Sequence, residues 1–144
     1  MMAPFVILAG LLGALAMVLA TYLFHLRRIA MVDFGRLIAT KLLRYHSHGT
    51  QLGLALHLLN GVVLAFIYAF VINPIPGPSL VKGAIYGVAL WLVMMLVVLP
   101  AFGDGFFGRR SDRSAAASGL VLHLLYGLIL GAAFAPHPLQ GLLT

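Results

Sequence analysis

Long apolar stretches alternate with short polar ones along this chain, and the pattern predicts four membrane helices. The apolar runs cover Pro4–Leu26, Leu52–Ile72, Leu80–Phe102 and Ala115–Ala135. Each is close to the roughly 20 residues that carry a helix across a bilayer's hydrocarbon. The connections are Arg27–Gln51, Asn73–Ser79 and Gly103–Ser114. Inside lipid every backbone polar group must be bonded within its own segment, so these runs are expected as helices. The fold expected is an all-α integral membrane protein, a four-transmembrane-helix bundle in one membrane domain, residues 1–144. Within the first connection, Asp33 suits a helix start. Phe34, Leu37, Ile38 and Leu42 share a face opposite Arg36, Thr40, Lys41 and Arg44, so Asp33–Arg44 reads as a short interfacial helix on the cytoplasmic surface.

Composition narrows the class further. The 144 residues are 62% hydrophobic and 8% charged, with a mean hydropathy of +1.09. A soluble domain carries about 25% charged residues, so a water-soluble fold is excluded on this ground. With no cysteine, thiolate metal sites and disulfides are excluded too. A net charge of +6 is compatible with nucleic acid, but its placement argues for topology. Arg27, Arg28, Arg36, Lys41 and Arg44 lie in the first connection, Arg109, Arg110 and Arg113 in the third, and only Lys82 near the second. Basic residues gather on the cytoplasmic side, which places both termini and Asn73–Ser79 outside. "MMAPFVILAG" has no charge ahead of its apolar run, and Arg27–Arg28 follow it. A cleaved signal peptide has the reverse order. The expected location is the inner (plasma) membrane of a bacterium, multi-pass, with periplasmic termini.

The chain also reads as a duplication. His57–Phe70 aligns without a gap on His123–Pro136, an offset of 66, while Phe34-Gly35-Arg36 matches Phe107-Gly108-Arg109 at an offset of 73. A longer first connection absorbs the difference. Two tandem hairpins follow, repeat 1 over residues 1–72 and repeat 2 over 80–136. Each contains an even number of spans, so the two are parallel repeats.

The duplicated helices carry the candidate chemistry. "GLALHLLNG" (Gly53–Gly61) and "GLVLHLLYG" (Gly119–Gly127) each centre a histidine between glycines one turn away on either side. Residues at i−4, i and i+4 share a helical face. At 1.5 Å per residue, His57 and His123 fall about 9 Å inside the cytoplasmic ends of their helices. Those helices are diagonal neighbours in an up-down-up-down bundle, roughly 12–14 Å apart for edges of about 8–10 Å. Two imidazoles span such a gap to a shared group. A planar haem b held by axial histidines requires a slot of this kind. On that reading His57 and His123 are its iron ligands, and Gly53, Gly61, Gly119 and Gly127 flank it. Asn60 and Tyr126, each three residues past a histidine, either orient the imidazoles or satisfy each other across the helices. The competing reading is a packing seam, since small-xxx-small faces are ordinary in membranes. A third is an ion-binding or transport role.

Other polar residues carry less. Tyr68, Tyr86 and Trp91 read as core or interface aromatics. His25 reads as interfacial, His137 as exposed, and His46 and His48 as loop residues without acidic or thiolate company. The three acids, Asp33, Asp104 and Asp112, all sit in connections, whereas proton-coupled carriers place carboxylates at membrane depth. No nucleophile–base–orienter set occurs, so no enzyme is expected.

The duplicated Gly-x-x-x-His-x-x-x-Gly helices, Asp33-Phe34-Gly35-Arg36 after the first span, and "GAIYGVALWLVMMLVVLPAFGDGFFG" (Gly83–Gly108) together resemble small four-helix bacterial membrane proteins grouped as a domain of unknown function. The resemblance covers nearly the whole chain and implies the fold without an activity. Cytochromes b and b561 carry four ligand histidines, so at most one haem fits this pattern. The function expected is an accessory subunit of a larger respiratory or photosynthetic membrane complex, bound to lipid and to other subunits, with one bis-histidine haem for electron transfer. The alternatives are a small oligomeric permease for an ion or metal, or a structural membrane protein without cofactor.

Overall fold

A computed structural model describes residues 2–28, 49–110 and 114–135. The proposed interfacial helix, His46, His48 and His137 lie outside these residues. The described residues contain only helices and connections, and four helices are long and apolar enough to cross a membrane. Helix α1 is Met2–Leu26. Helix α2 is Gly49–Ile67, continued by a π-helical turn, Tyr68–Ile72. Helix α3 is Ser79–Val93, a π-helical turn Met94–Val98 and a last short piece, Leu99–Ala101. Helix α4 is Ser114–Ala133.

Both π turns have the same physical origin. Proline has no N–H to return to the carbonyl four residues back, and its ring crowds that carbonyl. Pro74 follows the first turn and Pro100 the second. The ladder shifts to i→i+5 bonds just ahead of each, as in Asn73 N–H to Tyr68 O at 2.8 Å. Helix α3 then ends in a Schellman motif. Gly103 at φ 87° supplies the left-handed residue, with Gly103 N–H bonding Pro100 O and Asp104 N–H bonding Leu99 O, both at 3.0 Å.

Glycines decide how the helices meet. A β-carbon on Gly61 would lie 2.6 Å from the Ala14 side chain, and one on Gly10 would lie 2.8 Å from Ala65 and from the Gly61 carbonyl. Helices α1 and α2 therefore touch backbone to backbone. Gly83 and Gly87 meet Gly127 and the His123 carbonyl just as closely, which brings α3 against α4. Without a hydrophobic force between helices in lipid, close van der Waals approach of this kind supplies the attraction. The third contact is different: Gly13 of α1 makes room for the Tyr126 ring of α4.

Two separate cores result. Near the 73–78 loop, Val6, Ala9, Ala65, Tyr68, Ala69, Tyr86, Tyr126 and Leu130 are buried together. Tyr68 packs against Tyr86 and Phe134 with ring centroids 5.3 and 5.5 Å apart. At the end carrying the basic connections, Met94, Met95 and Leu99 pack under Trp91 and Phe107. There the Trp91 indole donates to Ala116 O at 2.9 Å and joins α3 to α4. Phe107 adopts φ 54°, a conformation uncommon for a bulky residue, with its ring set edge-on to Trp91 at 5.7 Å.

Candidate functional site

Between the two cores the bundle is not filled. A cavity of about 380 Å³ lies in the half nearer the basic connections, walled by all four helices. Ala14, Met17, Val18 and Thr21 come from α1, and Gly53, Leu54, His57, Asn60, Gly61 and Leu64 from α2. Leu90, Val93, Met94, Met95 and Val98 come from α3, and Gly119, Leu122, His123 and Tyr126 from α4. Its size falls in the range of about 300–1,000 Å³ that small-molecule sites occupy, and its wall has their character: mostly apolar, with a few polar groups.

The two histidines reach it from different helices at matching heights. The His123 Nδ1–H donates to Gly119 O, its own carbonyl one turn back, at 2.7 Å. An imidazole tied this way keeps a lone pair on Nε2, the nitrogen a metal or a donor group would take. His57 has interactions of its own, and its Nε2 is a buried atom without a hydrogen bond. Among the described residues no cluster of three or more His, Cys, Asp or Glu occurs. The two imidazoles are the nitrogen ligands this wall could offer a metal.

The structure gathers His57, His123, Gly53, Gly61, Gly119, Asn60 and Tyr126 around one space. Gly127 is not part of that wall, because it faces α3 and a β-carbon there would strike the Gly83 carbonyl. Gly61 is shared: it borders the cavity while packing on Ala14. The glycine pattern therefore combines two jobs, close helix contact and open space. Tyr126 does not pair with Asn60. Its hydroxyl donates to Gly61 O, across the bundle on α2. Tyr86 makes the parallel bond from α3 to Leu64 O at 2.8 Å.

Sequence reasoning passed over the methionine wall, Met17, Met94 and Met95, and the Thr21 hydroxyl, which bonds Met17 O at 2.8 Å. For Met94 and Met95 the available signal was Pro100, since a proline inside a span disturbs the helix in the turn ahead of it; Met17 and Thr21 carried none. Tyr68 and Tyr86 belong to the core near the 73–78 loop, and His25 is exposed at the end of α1.

A family model matches residues 3–138, nearly the whole chain. The chain belongs to a family of unknown function, DUF6789. No curated protein and no solved structure matches it. The membership agrees with the resemblance drawn from the glycine-flanked histidine helices. Because the family's function is unknown, what the site does rests on its geometry.

Proposed function

We propose that the protein is a small membrane subunit that holds one b-type haem between His57 and His123 and passes electrons through it. One observation carries the reading: imidazoles from two non-adjacent helices border a single cavity, one of them tied through Nδ1 to the carbonyl of Gly119. His57 and His123 would hold the iron between them, and the chemistry such a haem would supply is one-electron transfer. The chain's own residues do the rest. Gly53 and Gly119 border the space on the two histidine helices, Gly119 with Met95 and Trp91 packed against it, and Met17, Met94 and Met95 would adapt to a flat macrocycle. Arg27 and Arg28, at this end of α1, supply counter-charge for propionate groups.

The duplicated-hairpin reading belongs to the same proposal. Gly61 meets Gly10 and Ala14, and Gly127 meets Gly83 and Gly87. These pairs stand at the offsets of 66 and 73 that align the two halves, which supports two parallel hairpins related by an axis through the cavity. A bacterial plasma membrane with the termini outside, and service within a larger respiratory or photosynthetic assembly, complete the reading. The positive charge of the two long connections supports the orientation.

The test is an absorption spectrum of the purified full-length chain. The proposal expects a sharp Soret band that is lost in both His57→Ala and His123→Ala. A well-folded, colourless wild type overturns it and leaves the histidine stripes as packing faces.

A further inference from the structure

The cavity wall is closed on three of its four edges. Gly10, Ala14, Gly61 and Ala65 lock α1 to α2, and Gly83, Gly87, Gly127 and Gly131 hold α3 to α4. Tyr126 set against Gly13 closes α1 on α4. The fourth edge, α2 against α3, is braced at the 73–78 end. There Tyr86 bonds Leu64 O, and the Tyr68 hydroxyl donates to Ser79 O at 3.3 Å. Further toward the basic connections, among the described residues, that edge parts. Leu54 of α2 and Val93 of α3 both border the cavity and, among the described residues, are 43% and 52% exposed, the most open side chains of its wall. A side chain that is at once cavity wall and outer surface marks a rim, and both rim residues are apolar and lie within the predicted spans.

We infer that the site exchanges its occupant sideways with the bilayer, through this gap between α2 and α3. The ligand class is a lipid-dissolved, largely apolar molecule with a flat head bearing hydrogen-bonding or metal-bound atoms. The wall states the same preference. None of its residues is charged, so a free ion or a highly charged solute would be desolvated without a counter-charge. His57, Asn60 and His123 give a polar head its orientation, while Leu64, Leu90 and Met94 accept the apolar remainder. The inference rests on the cavity being a ligand site; it does not require the ligand to be haem.

The absence of cysteine makes a direct test. Single variants Asn60→Cys and Leu64→Cys, inside the cavity, are made in full-length protein from haem-deprived cells and placed in liposomes. N-dodecylmaleimide dissolved in the lipid is compared with a sulfonated, impermeant maleimide supplied on both faces. Phe70→Cys, on the lipid surface, and Ile75→Cys, in the 73–78 loop, calibrate the two reagents. Expected is modification of both cavity thiols by the dodecyl reagent at least tenfold faster than by the sulfonated one. Adding Leu54→Trp with Val93→Trp should slow that labelling at least tenfold and leave Phe70→Cys unchanged. The inference is overturned if the sulfonated reagent reacts faster, if neither reagent reacts while Phe70→Cys does, or if the two tryptophans change nothing. A colourless protein that labels from the lipid keeps this inference and removes the haem.

Discussion

At Gly83 there is room for a hydrogen and nothing larger, because a β-carbon would fall on the Gly127 carbonyl. Gly83→Leu should therefore pry α3 from α4 and destabilise the bundle by at least the 1–3 kcal/mol typical of overpacking. Thermal unfolding in mild detergent would report it as a lower midpoint, and an unchanged midpoint would show that the contact is dispensable. Tyr126→Phe makes a finer change, removing the bond to Gly61 O while keeping the ring in Gly13's hollow. The expected loss is about 0.5–1.5 kcal/mol, measured the same way. These two residues show what the sequence reveals and what it conceals. Glycine spacing exposes a close-packed face from the letters alone, since only glycine repeats so regularly on one stripe. Which glycine meets a neighbouring backbone and which borders a void depends on helix rotation. Gly127 and Gly53 carry the same pattern and stand in different places.

Helix ends were legible to within a few residues, because hydropathy falls abruptly where lipid gives way to water. The expected Leu52–Ile72 and Leu80–Phe102 correspond to described spans Gln51–Ile72 and Ser79–Ala101. The π turns were not legible. They require the carbonyl ladder to adjust ahead of Pro74 and Pro100, and hydrophobic patterning is blind to that adjustment. Lys82 stood out in the sequence only as the one basic residue near the second connection, yet its ammonium donates to Asn73 O at 2.7 Å and Ile75 O at 3.1 Å. It closes carbonyls of the connection that follows α2, where Pro76 and Pro78 offer no N–H. Lys82→Met should preserve the helices and release the loop. Hydrogen exchange at Ile75 and Gly77 should quicken severalfold, and protection equal to wild type would refute the capping role.

Across the whole molecule, the bundle is a tight half joined to a loose one. Aromatic and small residues fill the half near the 73–78 loop, and the half near the basic connections holds a cavity bordered by both histidines. The orientation proposed from charge predicts that Ser47→Cys is labelled by an impermeant reagent only from the cytoplasmic side, and Ile75→Cys only from the opposite one. Reversed labelling would invert the topology and leave the site intact. The diagonal placement of His57 and His123 was readable because both stripes keep one register. The cavity's open edge was not, since it arises where two helices fail to touch. The central claim is that these two imidazoles together bind one haem iron. Its most direct test is the optical spectrum of the reduced, purified protein before and after carbon monoxide. Two histidine ligands predict a low-spin b-type spectrum, one haem per chain, that carbon monoxide leaves unchanged. A spectrum that shifts on carbon monoxide, or the absence of any haem band in folded protein, would contradict it.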